Sequence, residues 1–212
     1  MKGKKVLITA GPTKEFIDPV RFISNASTGK MGYAIAEEFH KNGADVVLIS
    51  GPVSIETSLP KEKILHVTTA IEMLEVCKTK FPEIDIAVFT AAVADYRPKE
   101  KSNSKIKKKG DEMELLLVKN PDIALEFGKV KTAQQLSVGF ALETDNLENN
   151  ALEKLKKKNF NLIVLNSPNK EGEGFGFDTN RVSFITLKDK KDFELKSKKE
   201  IAKDLLNVIN DY

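Results

Sequence analysis

The sequence predicts an α/β fold in which a mostly parallel sheet carries helices on both faces. Six short, continuous and β-branched apolar runs have the pattern of strands that are buried on both sides. Between most of these runs, apolar residues recur at helical spacing. Strands that alternate with helices are joined by right-handed crossovers, which build a parallel sheet.

The predicted elements follow one another along the chain in βαβα order. The predicted strands are Val6–Ala10, Val46–Ser50, Ile64–Val67, Ile84–Thr90, Val138–Ala141 and Leu162–Leu165. Helical faces are predicted from Met31, Ala34, Ile35 and Phe39, from Ile71, Leu74 and either Val76 or Cys77, and from Leu147, Ala151, Leu152 and Leu155. We therefore expect a modified Rossmann-like domain, whose ligands bind beyond the carboxyl ends of the strands.

The sequence also predicts the N-termini of three helices. Thr69 with Glu72, and Ser197 with Glu200, have the spacing of a capping box. The third start is Asn120-Pro121-Asp122, in which Asn120 is the expected N-cap, proline takes the first helical position and the acid follows it.

Two segments interrupt the alternation. Residues 96–118 contain six lysines, a Gly110-Asp111 turn and an apolar run that ends at Val118. They predict a lysine-rich strand, a tight turn and a second strand, which together form a β flap. Phe177–Leu187 and Phe193–Leu195 predict an antiparallel hairpin closed by residues 188–192, with a final helix after it. We expect one domain over residues 1–212, with the flap inserted at about 96–118.

Composition excludes several classes of protein. With 34 basic and 31 acidic side chains the net charge is +3, which gives no reason to expect a nucleic-acid partner. The single cysteine, Cys77, excludes an internal disulfide framework and suits a reducing cytoplasm. Neither a signal peptide nor an apolar run of about 18 residues is present, so we expect a cytoplasmic protein with no membrane partner. His40 and His66 lie far apart without cysteine neighbours, which argues against a His–Cys metal site.

The long polar loop between the first strand and the first helix carries the clearest functional signal. It begins at Gly11, ends with Ser27-Thr28-Gly29, and the helix is expected only after Gly32. Small residues that lead into a helix present unpaired backbone N–H groups and the positive end of the helix dipole to an anion. The loop is too long for a dinucleotide fingerprint, and Met31 stands where a P-loop needs Ser or Thr after Lys30. We expect a phosphate cradle of a third kind.

Two side chains of this loop suit an anionic substrate. Arg21 offers a permanent planar charge, and Asn25, four residues on, offers both a donor and an acceptor. They are suited to hold a carboxylate or an acyl phosphate. The alternative is that Arg21 forms a surface ion pair and Asn25 caps a turn.

Other candidates lie further along the chain. The strand that ends at Phe89-Thr90 continues into Ala91-Ala92-Val93-Ala94-Asp95, where small residues permit a ligand to approach the backbone closely and Asp95 is placed to meet a ribose, an amide or Mg²⁺. The alternative is that the small residues serve tight packing and Asp95 is a cap. Lys105 in the flap is the point charge that phosphoryl chemistry needs, although flap lysines are usually a solvated face. Lys154 and Lys158 share one helical face and are suited to bind phosphates, or else form a solvated face.

With these residues identified, the chain resembles the phosphopantothenate–cysteine ligase family, also called phosphopantothenoylcysteine synthetase. The resemblance spans nearly the whole chain. Six signatures carry it in order: Asp18–Gly29, Ala91–Asp95, Lys105–Lys108, Asn120–Ile123, Gly139–Thr144 and Asn166. The flavin-dependent decarboxylase half that usually precedes this domain is missing, since Met1 lies just before the first strand, so we expect a stand-alone ligase.

The resemblance implies a reaction in two steps. The carboxylate of 4′-phosphopantothenate attacks the α-phosphate of a nucleotide, and pyrophosphate leaves; the amine of L-cysteine then displaces the nucleotide monophosphate. Bacterial members typically use CTP, which makes CTP with Mg²⁺ the expected co-substrate, while the metal ligands stay unassigned. The family further implies a homodimer, with a separate flavin-dependent decarboxylase acting next in the pathway.

The resemblance also assigns roles to positions of this sequence. Asn25, Lys105 and Arg21 are the expected catalytic residues, with Lys105 acting in activation. Asn25, Ala91, Ala92 and Asp95 are expected to hold phosphopantothenate or the acyl nucleotide. Nucleotide contacts are expected from Gly11, Ser27, Thr28, Gly29, Gly32, Phe89, Thr90, Ala91, Asp95, Asn120, Pro121, Asp122, Ile123, Phe140, Lys154, Lys158 and Asn166. One position departs from the family, because Pro12 stands where many members carry glycine and removes a backbone donor.

Two other functions remain open from the residues alone. A Rossmann-type NAD(P) oxidoreductase would use a similar sheet, but the glycine-rich turn of that spacing is absent, and Tyr96 is followed by Lys99 rather than by Lys at the fourth position. A non-catalytic nucleotide-binding module would leave Asn25 and Lys105 without a task. An assay of pyrophosphate release with CTP, phosphopantothenate and cysteine discriminates between the three.

Overall fold

An eight-stranded sheet lies at the centre of the structure, a computed structural model that describes residues 1–108, 110–143, 145–166, 174 and 176–212. Lys109 of the flap and Thr144 of the fifth signature lie outside the described residues. The strands of this sheet, in spatial order, are β13 (Lys190–Asp192), β12 (Val182–Ile185), β10 (Leu162–Asn166), β9 (Leu136–Leu142), β6 (Ile86–Phe89), β1 (Lys5–Ala10), β4 (Asp45–Ser50) and β5 (Ile64–His66).

At strand β1 the order in which strands are added to the sheet reverses. The chain runs outward from β1 through β4 to β5, and then returns to add β6 on the other side of β1. All pairings from β5 to β10 are parallel, so their carboxyl ends share one edge of the sheet. A crevice at such a switch point is where α/β sheets bind ligands.

Helices cover both faces of the sheet, as the alternating pattern predicts. They are α1 (Lys30–Lys41), α2 (Ala70–Lys80), α3 (Ile123–Val130), α4 (Leu147–Lys157) and α5 (Lys198–Asn210). Helices α1 and α5 share one core cluster with alternate strand residues, and α2, α3 and α4 share the other. The predicted mostly parallel α/β fold is therefore confirmed. Among the described residues, none of the helices has both the length and the apolar run that crossing a bilayer requires.

The β1–α1 loop contains a hairpin that the sequence analysis missed. Strand β2 (Lys14–Phe16) pairs antiparallel with β3 (Phe22–Ser24), and α1 begins at Lys30 rather than after Gly32. Each strand has only three residues, which is too short for an alternating pattern to be recognised.

The flap is less regular than predicted. Only its two ends pair, where β7 (Tyr96–Pro98) lies antiparallel to β8 (Leu117–Lys119). The apolar run before β8 forms no strand, and Met113 and Leu116 are exposed, because the described part of the chain offers them no surface to pack against.

The carboxyl-terminal hairpin exists with different bounds. Strand β12 pairs with β13, so residues 186–189 close the turn, and the hairpin extends the main sheet through β10. Residues on either side form a second small pair, β11 (Thr179–Asn180) with β14 (Lys196–Ser197). Phe193, expected in the second strand, is instead buried beside Phe184, with ring centroids 4.6 Å apart.

The predicted N-cap of α3 is wrong by two residues. Asp122 caps this helix, accepting a hydrogen bond from the backbone of Leu125 at 3.1 Å. Asn120 does not cap the helix, because its Oδ1 accepts from Arg97 at 3.2 Å while its Nδ2 donates to the carbonyl of Ala94 at 2.8 Å. The other two predicted caps are confirmed, with Thr69 accepting from Glu72 and Ser197 forming a capping box with Glu200.

Candidate functional site

Two openings lie side by side at the carboxyl edge of the sheet. The helix-end cavity has a volume of about 150 Å³ and lies at the start of α1. The lysine-lined groove has a volume of about 730 Å³ and lies between β6, α3 and α4. Both are lined by Ala91, Ala92 and Phe140, so a single extended ligand can occupy the two together.

Glycines bring the start of α1 against the ends of β1 and β6. Gly29 precedes the helix in the left-handed region at φ 79°, where it contributes no side chain across the helix end. A Cβ atom at Gly32 would lie 2.4 Å from Oγ1 of Thr90 and 2.5 Å from Cβ of Ala10, so only glycine permits this approach. The first turn of α1 contains no acidic residue. The free N–H groups and the positive helix dipole are therefore available to an anion.

A buried lysine lines the same cavity and was missed by the sequence analysis. Lys198 is only 6% exposed, and its Nζ donates to the carbonyls of Gly174 at 3.1 Å and Phe177 at 2.5 Å. Burial lowers the pKa of Lys198, and the charge of Lys30 lowers it further, while Asp178 opposes the change. The sequence did contain a signal, since a lysine in the first turn of a helix opposes the helix dipole.

The charge balance of the helix-end cavity favours an anionic ligand. Lys30 and Lys198 are among its lining residues, and none of the described residues that line it is acidic, while Lys30 pairs at 2.7 Å with Asp178, which does not line the cavity. Asn166 adds an acceptor, because its Oδ1 is buried and has no hydrogen-bond partner in the part of the chain that the structure describes. A polyphosphate that also carries a hydroxyl or amine donor would pair with the positive charge of the cavity and donate a hydrogen bond to Asn166.

Lys198→Met should weaken the binding of inorganic pyrophosphate by about tenfold or more, equivalent to roughly 1.4 kcal/mol. The melting temperature should change little, because the removal of a buried charge is favourable whereas the carbonyls of Gly174 and Phe177 lose their donor. Calorimetric titration of pyrophosphate checks the affinity. Lys199→Met is the matched control, since Lys199 is exposed and does not line this cavity. Equal affinities for the two variants would contradict a role for Lys198 in anion binding.

Two of the four lysines that line the groove, Lys154 and Lys158, are held by acidic partners. Lys154 pairs with Glu143, whose side chain is 11% exposed, and Lys158 pairs with Asp122 at 3.0 Å. Asp122 thereby joins the start of α3 to the end of α4. Salt bridges of this kind fix the ammonium groups at the groove wall, where an incoming phosphate must share them with the carboxylates.

The opposite rim of the groove is built around Asn120. Its backbone N–H donates to the carbonyl of Asp95 at 2.8 Å, and its Oδ1 accepts from Arg97 at 3.2 Å. The carboxylate of Asp95 is exposed and has no hydrogen bond or ion pair with any described residue. The structure contains no group of three or more His, Cys, Asp or Glu residues suited to a metal ion, as far as its described residues go. A lone carboxylate fits Mg²⁺ that is bound chiefly through substrate phosphates and water.

Asn25 lies against the segment that the two openings share. Its Nδ2 donates to the carbonyl of Ala92 at 2.9 Å and to that of Val93 at 3.2 Å. The amide orientation follows from this pairing, since only the NH₂ group can serve two carbonyls. Its Oδ1 has no partner among the described residues and is available to a substrate donor.

Arg21 and Lys105 come together through the backbone of the flap. Arg21 donates from Nε and Nη2 to Asp18 Oδ2, at 3.0 and 2.5 Å, and Nη2 also donates to the carbonyl of Ile106 at 3.0 Å. Lys105, the residue before Ile106, is exposed and pairs with no described residue. The alternative for Arg21 was a surface ion pair; an ion pair is present, but its partner Asp18 is fully buried. Nη1 has no partner among the described residues.

The turn that contains Pro12 faces the sheet rather than either opening. The carbonyl of Gly11 accepts from Ala92 at 2.9 Å, and the N–H of Thr13 donates to the carbonyl of Ala92 at 3.4 Å. The backbone of this turn thus continues the pairing of β1 with the chain beyond β6.

Most of the residues predicted from the sequence line one of the two openings. The helix-end cavity has Ser27, Thr28, Gly29, Gly32, Thr90, Ala91, Ala92, Phe140 and Asn166, and the groove has Phe89, Ala91, Ala92, Asp95, Asn120, Pro121, Asp122, Ile123, Phe140, Lys154 and Lys158. Four predicted residues line neither opening: Gly11, Arg21, Asn25 and Lys105.

The sequence of this chain matches one protein family and several curated relatives. Residues 1–212 match the family described as DNA/pantothenate metabolism flavoprotein C-terminal domain. A protein named cysteine/cysteine sulfinic acid decarboxylase, from an unknown prokaryotic organism, is 48% identical over 210 residues, which are 99% of this chain and 58% of that protein. The coenzyme A biosynthesis bifunctional protein CoaBC of Haemophilus influenzae is 46% identical over 209 residues, 99% of this chain and 52% of that protein. The chain spans about half the length of these curated relatives.

A solved structure with the same fold supports the match. The C-terminal domain of coenzyme A biosynthesis bifunctional protein CoaBC superposes with a TM-score of 0.81 at 40% identity, covering 99% of this chain and 97% of that one. The likeness in fold therefore extends over nearly the whole of both chains.

Proposed function

This chain belongs to the DNA/pantothenate metabolism flavoprotein C-terminal domain family, and from that membership we propose that it is a phosphopantothenate–cysteine ligase of coenzyme A biosynthesis. One observation carries the proposal. Five of the six signature segments, all but Lys105–Lys108, contribute residues to two adjoining openings that share Ala91, Ala92 and Phe140, although these segments lie far apart along the chain. One opening suits a phosphate group and the other provides room for the rest of a nucleotide and an acyl group.

The first step activates a carboxylate. A carboxylate oxygen of 4′-phosphopantothenate attacks the α-phosphorus of CTP, the bond to the β-phosphate oxygen breaks, and pyrophosphate leaves with an acyl cytidylate formed. Negative charge moves toward the leaving group, and Lys105 stabilises it in the transition state. The N-terminus of α1 and Lys198 stabilise phosphate oxygens, and Lys154 and Lys158 contribute positive charge along the groove.

The second step forms the amide. The amine of L-cysteine attacks the acyl carbon, the bond to the cytidylate oxygen breaks, and CMP leaves. Asn25 holds the acyl cytidylate through its free Oδ1 while Nδ2 stays bonded to the carbonyls of Ala92 and Val93. Mg²⁺, when bound with the nucleotide, neutralises charge on the polyphosphate, and Asp95 is the carboxylate suited to it.

The test is a coupled assay with the purified chain. Pyrophosphate release should require both CTP and phosphopantothenate, and CMP should appear only when cysteine is added. Pyrophosphate release that does not depend on phosphopantothenate, or none at all, would contradict the ligase. A change in NAD(P)H absorbance would instead favour the oxidoreductase.

CTP should be preferred to ATP by at least about tenfold in kcat/KM, which corresponds to about 1.4 kcal/mol in the transition state. The bacterial-type segment Ala91–Asp95, which lines the groove, is the reason for this expectation. Initial rates of pyrophosphate release at varied CTP and ATP give the two constants. Comparable constants for the two nucleotides would contradict it.

The partners of the chain follow from the same proposal. A homodimer is expected, and exposed apolar side chains beside the loop and flap support an interface there, with Val20 58%, Phe22 41% and Leu116 67% exposed. Sedimentation equilibrium tests the dimer. A separate flavin-dependent decarboxylase would consume the product.

A further inference from the structure

The flap is held to the β1–α1 loop by a buried carboxylate. Asp18 is fully buried, and its Oδ1 accepts from the backbone N–H groups of Val20 and Arg21, at 2.8 and 2.9 Å. Its Oδ2 accepts from the Arg21 guanidinium and from the backbone N–H of Ile106 at 3.1 Å. Asp18 thus joins the tip of the loop to a residue 88 positions away.

Both polar groups of Ile106 are used in this contact. While its N–H donates to Asp18, its carbonyl accepts from Arg21 Nη2 at 3.0 Å. A third bond joins the same two segments, from the N–H of Ser102 to the carbonyl of Ile17 at 2.9 Å. The contacts flank Lys105 on both sides along the chain.

We propose that Asp18 and Arg21 are positioning residues for Lys105, because together they form a dock that receives the backbone of Ile106. The proposal rests on the proposed function, in which Lys105 stabilises charge during carboxylate activation. Lys105 reaches into solvent from a segment without strand pairing, since only β7 and β8 pair at the ends of the flap. Without the dock its ammonium would sample many positions, and catalysis requires a charge that is already in place.

The dock is electrostatically strong enough for this task. Hydrogen bonds from Arg21 and from three backbone N–H groups hold the pKa of Asp18 well below its usual range, so the carboxylate stays charged at any pH of interest. Bonds between ionised groups are shorter and stronger than neutral ones, and a buried carboxylate is costly unless all of its acceptor sites are used. The backbone N–H of Ile106 is one of the donors to these acceptor sites.

Asp18→Asn should lower kcat for pyrophosphate release by about tenfold and change the KM for CTP by less than about twofold. In a Lys105→Gln background the same substitution should have almost no further effect on kcat, because the dock acts through Lys105. Independent, multiplying losses in the double variant would overturn the proposal. Asp45→Asn is the matched control, since it breaks the surface pair with Lys63 at the start of β4, outside the site.

A second variant tests the dock without changing its charges. Ile106→Pro removes the N–H that donates to Asp18 and leaves the Asp18–Arg21 pair intact, so it serves if Asp18→Asn lowers the melting temperature of the whole domain. It should reproduce the loss in kcat. Unchanged kcat in Ile106→Pro would overturn the proposal.

Hydrogen exchange separates the dock from the reaction. In Asp18→Asn, amides of residues 100–108 should exchange faster by about tenfold, whereas amides of β9 should keep their rates. If the native chain releases no pyrophosphate but this acceleration is seen, the proposed function fails while the dock stands. Unchanged exchange in the flap would show that Asp18 does not hold it, whatever the activity.

Discussion

Lys105→Gln should lower kcat for pyrophosphate release by roughly 10²-fold or more, which is the scale of losing one positioned electrostatic donor. Lys105 is exposed and pairs with no described residue, so its charge is free to meet a leaving phosphate. The melting temperature should stay unchanged for the same reason. Quenched-flow measurement of pyrophosphate, with thermal unfolding alongside, checks both expectations.

The neighbouring lysines are the internal controls for this prediction. Lys107→Gln and Lys108→Gln remove the same charge from exposed positions two and three residues away. Both should keep near-native kcat. If Lys107→Gln or Lys108→Gln abolishes release while Lys105→Gln does not, the activating lysine has been assigned to the wrong position. If none of the three matters, the flap is only a cover.

Asn25→Asp should uncouple the two steps, because pyrophosphate is still released while amide formation falls by about 10²-fold. The carboxylate repels the anionic acyl cytidylate and replaces the NH₂ group that donates to Ala92 and Val93. It also lies against two carbonyl oxygens, which moves the side chain away from its native position. The intermediate should therefore accumulate.

Acid quenching and chromatography measure the intermediate directly. Acyl cytidylate should appear in Asn25→Asp at a level close to the enzyme concentration, and stay below detection in the native enzyme. Asn25→Gln keeps the amide but lengthens the side chain, so it distinguishes lost chemistry from lost geometry. Equal losses in both steps for Asn25→Asp would contradict a role specific to amide formation.

The sequence predicted the fold well because its signals are local. Continuous apolar runs and helical spacing need only neighbouring residues, and the alternation of strands and helices then restricts the topology. The resemblance to the phosphopantothenate–cysteine ligase family was likewise confirmed at the level of the family, since its motifs are short and ordered.

The parts that could not be predicted depend on contacts between distant residues. Neither the bond from Ile106 to Asp18 nor the burial of Lys198, which donates to the carbonyls of Gly174 and Phe177, has a periodic signature. Asn120 was predicted to be the N-cap of α3 because it precedes Pro121 and Asp122. In the structure its Nδ2 donates to the carbonyl of Ala94 instead. Met113 and Leu116 of the flap fit a strand pattern, but among the described residues only the end of that apolar run, in β8, has a strand partner.

The helix-end cavity can form only late in the synthesis of the chain on the ribosome. Its walls run from Ser27 near the start of the chain to Lys198 at the last helix, and α5 covers the same face as α1. A nascent chain on the ribosome cannot complete the cavity until α5 has been translated, although domains otherwise begin to fold from the amino terminus. Until then the apolar side of α1, including Ile35 and Phe39, is not yet covered by α5. This exposed apolar surface can aggregate or bind chaperones. A chain that ends before α5 therefore lacks the wall that Lys198 supplies to this cavity.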